Sequence, residues 1–137
     1  MSKICILDSK TLGNDIDLSL FKEFGTLTVY DTTAPHEVVD RIADQDIIIT
    51  NKVRLHSENL PAAKNLKLIC ITATGTNNVD LNYTREHGIA VTNVAGYSTN
   101  TVAQHTFAMA FYLMEHLPYY DQYVKSGDYC KSDIFTH

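Results

Sequence analysis

The sequence predicts an α/β protein, a five-stranded, mainly parallel sheet with helices on both faces that runs on into one long apolar helix. Three observations predict it. Five short runs rich in β-branched residues each give way to a helix-compatible segment, the alternation that builds βαβ units. Two of them, Ile47-Ile48-Ile49 and Leu68-Ile69-Cys70-Ile71, are apolar without alternation, as central strands covered on both faces must be. The 137 residues are the length of one ordinary domain, which can bury roughly two thirds of its unfolded surface, enough for a core without disulfide or metal.

Strands are expected at Lys3–Leu7, Thr26–Tyr30, Asp46–Thr50, Leu66–Thr72 and Ile89–Thr92. Between the first two, Ile16, Leu18, Leu20, Phe21 and Phe24 supply the apolar face of a helix, with Gly25 where its stop belongs. After strand two, Thr33-Ala34-Pro35 opens a helix with proline near its first turn and with Val38, Val39, Ile42 and Ala43 at helical spacing. A shorter helix is expected over Ser57–Ala63, and another from about Asn78 to His87, ended by Gly88.

Residues 93–98 read as a loop. Thr101 and Gln104 have capping-box spacing at a helix start, with Ser98, Thr99 and Asn100 as rival caps. From there to Leu117 the apolar residues, among them Val102, Phe107, Met109, Phe111, Leu113 and Met114, leave almost no polar face. A helix apolar nearly all round has to be covered nearly all round. The sheet can cover one side, so the other needs a second domain or a second subunit. Pro118–His137 reads as a short helix, Gly127, and an ending with no clear element. The expected division is a sheet domain over residues 1–98 and a helical segment over 99–137.

Eleven Lys and Arg against sixteen Asp and Glu leave a formal charge of −5, no electrostatic footprint for nucleic acid or an anionic membrane. The longest apolar stretch, Thr101 to Leu117, holds Gln104, His105, Glu115 and His116 and is too short and too polar to span a bilayer. The apolar run after Met1-Ser2-Lys3 is too short for a signal peptide. Cys5, Cys70 and Cys130 are far apart, odd in number and without metal-ligand spacing to the histidines. That is the usage of reduced thiols in a cytoplasmic protein, with Cys5 and Cys70 in the core, and no metal site is expected.

In an open parallel sheet the ligand crevice lies beyond the carboxyl ends of the strands. A flavodoxin-like order, 2-1-3-4-5, brings three such ends together. Strand one delivers Asp8 and Ser9; strand three delivers Thr50, Asn51, Lys52 and Arg54; strand four delivers Ala73-Thr74-Gly75-Thr76-Asn77-Asn78. Gly75 permits close backbone approach and unusual dihedrals, and Asn77 and Asn78 can cap a helix beginning Val79-Asp80-Leu81. Turn N–H groups at a helix N-terminus suit a carboxylate or a phosphate, and Lys52 can add a full charge. On the residues alone, an ordinary strand-to-helix turn with a solvated lysine is the alternative.

Other chemistries find little support. No serine sits in G-x-S-x-G. The six histidines, His36, His56, His87, His105, His116 and His137, are scattered, and His105 and His116, within the apolar helix, are expected to be satisfied, buried or interfacial. Asp40, Asp44 and Asp46 look like a solvated helix face and the turn after it. A receiver domain shares the architecture but needs an aspartate ending strand three and a lysine ending strand five, where Thr50-Asn51 and Thr92-Asn93 stand. No two of the six glycines are spaced G-x-G, so the sequence holds no dinucleotide fingerprint and no Walker loop.

Three motifs in order, Ala73 through Leu81, Glu86 through Ser98, and Thr101-Val102-Ala103-Gln104-His105, resemble the N-terminal region of the D-isomer-specific 2-hydroxyacid dehydrogenases. In looser form the similarity runs from Lys3 to Glu115. Thr50-Asn51-Lys52, Ala73-Thr74-Gly75-Thr76 and Gln104 look most like the glycerate dehydrogenase, or hydroxypyruvate reductase, branch. Three positions depart from the commoner pattern: Ala73 and Asn77 replace the first glycine and the aspartate of G-x-G-x-D, and Gln104 stands where many members carry glutamate.

The resemblance implies a two-domain enzyme in which a flavodoxin-like domain binds a small 2-keto or 2-hydroxy acid and closes over a Rossmann domain carrying NAD, with NADP not excluded. It implies that Thr74, Gly75 and Thr76 hold the substrate carboxylate, with Asn51 and Lys52 as polar neighbours, and that Thr74, Thr101 and Val102 approach the cofactor. It implies a homodimer built through the helix at residues 101–117. The family's G-x-G-x-x-G loop, its ribose-reading acid, and the Arg, Glu and His that position substrate and move its proton are expected beyond His137. No catalytic residue is therefore assigned within the chain, which is expected to be truncated before the cofactor domain and inactive by itself. The competing reading is a stand-alone flavodoxin-like carboxylate-binding or interaction module without catalysis, motivated by the length of the chain.

Overall fold

Alternate residues of the central strands divide the core between the two faces of one sheet. In the computed structural model, which describes residues 1–134, the strands are β1 (Ser2–Ile6), β2 (Gly25–Val29), β3 (Ile47–Thr50), β4 (Leu68–Ile71) and β5 (Ala90–Thr92). All four pairings are parallel and the order is β2-β1-β3-β4-β5, the flavodoxin-like order expected. Cys5 pairs with Ile48 and Ile48 with Ile69; these three, all fully buried, face one side. Ile4, Ile6 and Ile49 face the other.

The first face is covered by Val38 and Ile42 of α1 (Val38–Ile42), by Leu55, Leu60 and Ala63 from the segment after β3, and by Val79 and Tyr83, the latter on α2 (Leu81–Glu86). The second is covered by Leu18 and Phe21 from the 3-10 segment Leu18–Glu23. Cys70 packs on that second face, half-buried, whereas Cys5 is fully enclosed.

Several elements differ from expectation, each for a local reason. The segment before β2 is 3-10, so only residues three apart, Leu18 and Phe21, share the inward face. Leu20 and Phe24, at 61% and 68% exposure, do not reach the sheet. Gly25 is not a helix stop: it begins β2 opposite Ser2, where an added Cβ would lie 2.0 Å from the Ser2 carbonyl oxygen. Val39 and Ala43 point to solvent, leaving Val38 and Ile42, one helical turn apart, to carry α1. Within Ser57–Ala63 only Leu60–Ala62 is helical, and it is 3-10.

Asn77 and Asn78 do not cap α2. Asp80 does, its Oδ1 accepting from the N–H groups of Asn82 (3.1 Å) and Tyr83 (3.0 Å). Gly88, at φ +68°, ends that segment as expected. Asp46 is not a solvated carboxylate: it accepts from the Lys3 N–H (2.8 Å) and from Lys67 Nζ (2.9 Å). The Lys3 backbone bond first, and Lys67 second, hold its carboxyl below the ordinary carboxylate value.

The chain divides into two compact units, the first ending at Gly96 and the second beginning at Tyr97. The second contains α3 (Thr99–Met114) and α4 (Leu117–Lys125), which pack on each other. Ser98 occupies the cap position of α3 but makes no side-chain capping bond. The apolar helix stops at Met114 rather than Leu117, because His116 turns left-handed (φ 49°) and Pro118 suits the first turn of α4. No residue of α3 is buried, and Phe107 and Leu113 are 63% and 71% exposed. His105 and His116 are accordingly not buried; His137 lies outside the described residues. No helix of the described residues is long and apolar enough to cross a membrane, and no cluster of their side chains could hold a metal ion.

Candidate functional site

Two loops at the carboxyl edge of the sheet make the site, and buried polar groups fix both. Asp8, at the end of β1 and only 6% exposed, accepts from the Asn51 N–H through both oxygens (2.9 and 3.1 Å) and from the Lys52 N–H through Oδ2 (2.6 Å). The loop after β3 thereby starts from a fixed backbone. Thr50 Oγ1 accepts from the Val53 N–H (3.2 Å) one turn further on. Ser9, the other residue from β1, instead turns toward the β2 end and donates to Asp31 (3.3 Å).

Asn78 joins this loop to the one after β4. Its buried Nδ2 donates to the carbonyls of Asn51 (3.4 Å) and Val53 (3.2 Å). Alongside it, the Leu55 N–H donates to the Asn78 carbonyl (2.8 Å) and the Asp80 N–H to the Leu55 carbonyl (2.9 Å), a one-residue parallel bridge. The loop's far flank is tied to the segment after β5: Thr74 Oγ1 donates to the Val94 carbonyl (3.1 Å), Asn93 Nδ2 to the Thr74 carbonyl (2.7 Å) and the Val94 N–H to the Ala73 carbonyl (3.1 Å).

What these bonds leave over defines the chemistry. Among the described residues, the N–H groups of Thr74, Gly75 and Thr76 donate to no protein acceptor. The helix N-terminus is not part of this anion site, because Asp80 already occupies its donors and α2 begins five residues beyond Thr76. Gly75 does not use a left-handed conformation either. Its role is room, since an added Cβ would lie 3.1 Å from Asn77 Oδ1. On the opposite loop the balance is reversed: the Asn51 and Lys52 N–H groups are spent on Asp8, so only their side chains can meet a ligand.

Asn51, Lys52, Arg54, Ala73, Gly75, Asn77 and Asn78 line one cleft of about 330 Å³. Three of the five predicted substrate residues, Asn51, Lys52 and Gly75, thus line it, and Thr74 and Thr76 flank Gly75 in the same turn. Two cationic side chains beside free N–H groups suit a small carboxylate. Asn51 Oδ1 is buried without a protein partner. The Nε2 of His56 is likewise buried and unpartnered; this residue borders a separate groove along Gly75, Thr76 and Val79. Sequence reasoning placed Asp8 at a strand end and read Asn78 as a helix cap, but did not foresee that the two organise the loops of the site. The signal was present only as a carboxylate and an amide at strand ends, 43 and 27 residues from their partners.

The remaining predicted cofactor residues stand in the second unit. Thr101 and Val102 lie in the first turn of α3 and are exposed. The Val102 N–H donates to the Ser98 carbonyl (2.8 Å), so only its side chain is available to a ligand; Thr101 retains a solvent-facing hydroxyl.

The profile of the D-isomer specific 2-hydroxyacid dehydrogenase catalytic domain matches residues 4–127. The chain belongs to this family. A Haemophilus influenzae protein provisionally named a 2-hydroxyacid dehydrogenase is 44% identical over 115 residues, covering 84% of this chain and 36% of that protein. The hydroxypyruvate reductase of Blautia hydrogenotrophica is 35% identical over 129 residues, covering 91% and 40%. Among solved structures, the D-lactate dehydrogenase of Aquifex aeolicus, complexed with NAD and lactic acid, superposes with a TM-score of 0.68 at 27% identity, over 90% of this chain and 37% of that one. The chain therefore spans about two fifths of the length of the proteins it matches.

Proposed function

We propose that this chain is the substrate-binding part of an NAD-dependent dehydrogenase that interconverts a small 2-hydroxy acid and its 2-keto acid, glycerate and hydroxypyruvate in the first instance. The carrying observation is the 330 Å³ cleft, in which the Gly75 turn, with its free N–H groups, meets Lys52 and Arg54. The turn holds the carboxylate by its N–H groups, Lys52 adds charge, and Asn51 meets the polar end of the acid. The similarity to a hydroxypyruvate reductase supports this choice of substrate.

The nicotinamide, when bound, supplies or accepts the hydride at C2. The family resemblance assigns Thr74 of the first unit to the approach to its reactive end and, separately, the exposed Thr101 and Val102 side chains of the second unit as further contacts. No G-x-G-x-x-G occurs in these residues, so the 137-residue chain binds the acid without turning it over. The exposed apolar α3 forms a homodimer, and the three free thiols suit a cytoplasmic setting.

D-glycerate titrated into the 15N-labelled chain is expected to shift the amide signals of Thr74, Gly75 and Thr76. Shifts centred elsewhere would overturn the site. NADH with hydroxypyruvate should show no oxidation above background, and robust turnover would overturn the assignment of catalysis to other residues.

A further inference from the structure

One buried group at the carboxyl edge of the sheet has no task in the function just proposed. Asp8 is a buried carboxylate with no cation against it: its salt-bridge partners are none among the described residues, and its acceptor capacity goes to two backbone N–H groups. Those two belong to Asn51 and Lys52, the residues whose side chains border the substrate cleft. A carboxylate accepts only, so it holds two N–H groups where a neutral amide of the same shape would present a donor to one of them.

Lys52 and Arg54 also border a second cleft, of about 590 Å³, on the β1–β2 side of the same loop, together with Asp8, Thr32 and Thr33. Lys52 is exposed and makes no ion pair among the described residues, so the course of its backbone decides which cleft its ammonium serves. We propose that Asp8 is a positioning residue: by gripping the Asn51 and Lys52 N–H groups it orients that loop so that the Lys52 ammonium reinforces the carboxylate site at Thr74–Thr76. This rests on the substrate site proposed above for its consequence, but the grip itself is testable without any ligand.

Without a variant, scalar coupling across the hydrogen bonds in the 13C,15N-labelled chain should link the Lys52 and Asn51 amide nitrogens to the Asp8 side-chain carboxyl carbon. In Asp8→Asn the Asn51 and Lys52 amide protons should move upfield and exchange at least ten-fold faster, while those of Ile48 and Ile69 keep their protection. Absence of the coupling, or unchanged Asn51 and Lys52 amides in a folded Asp8→Asn chain, would overturn the proposal.

D-glycerate then reads the consequence. Asp8→Asn should weaken binding about ten-fold while Thr74–Thr76 still respond, and Lys52→Met should cost several-fold in the native background but nothing further in Asp8→Asn. Additive losses would show that Asp8 does not act through Lys52 and would overturn the positioning role. If D-glycerate moves no signal in the unaltered chain, the substrate reading fails, and the coupling and exchange data still decide whether Asp8 sets the loop.

Discussion

The three cysteines show how far one residue type is governed by where the fold puts it. Cys5 is fully buried in the central strand β1, and that burial pushes its thiol from the ordinary 9.0 up to about 12. Cys130 is exposed and Cys70 is half-buried. Since the thiolate is the nucleophile, iodoacetamide at pH 8 should label Cys130 within minutes, Cys70 slowly, and Cys5 only after unfolding, as read by mass spectrometry. Rapid labelling of Cys5 in the folded chain would contradict the packing of β1. The sign of the linkage follows: the folded chain keeps this proton more tightly than the unfolded one. Its contribution is therefore complete below pH 9 and is lost as the pH rises toward about 12. That Cys5 lies in the core was legible in Ile4-Cys5-Ile6-Leu7. That Asp8, three residues on, holds Asn51 and Lys52 was not, because a 43-residue contact leaves no mark on the local pattern.

Among the elements, strands were more legible than helices, for a physical reason. A parallel strand buried on both faces must be apolar throughout, and Ile47-Ile48-Ile49 has no other use. A short helix is set by its caps, and several residues can compete for one cap. Asn77, Asn78 and Asp80 all had the right chemistry before α2, and tertiary pairing decided among them. Asn78 is drawn away by the Asn51 and Val53 carbonyls, leaving Asp80 next to the first turn. Asp80→Ala should accordingly cost about 1 kcal/mol and lower Tm by roughly 4–8 °C, whereas Asp80→Asn, which keeps an acceptor, should stay within a few tenths of a kcal/mol. Equal losses in the two variants, measured by urea denaturation, would assign the effect to something other than the cap. The same competition bears on the proposed carboxylate site. With Asp80 on the helix donors, any ligand carboxylate is left with the N–H groups of the Thr74–Thr76 turn.

At the scale of the whole molecule, burial is distributed unevenly. Every buried residue among those described lies between Ile4 and Thr84, inside the unit that ends at Gly96, while α3 and α4 bury none. A helix of sixteen residues with Phe107, Met109, Phe111, Leu113 and Met114 all more than half exposed cannot stay uncovered in water. The sequence showed this requirement in the missing polar face, and two consequences can be measured together. Residues 1–96 expressed alone should fold cooperatively and lose no more than about 1 kcal/mol relative to the whole chain, because the sheet and both its core clusters are complete within them. The whole chain should self-associate as its concentration rises and the 1–96 piece should stay monomeric in sedimentation, with Phe107→Lys plus Leu113→Lys reproducing the monomer in the full length. An unfolded 1–96 piece would mean that the core depends on α3. A monomeric full chain at high concentration would instead remove the homodimer and leave the face of α3 to a different domain.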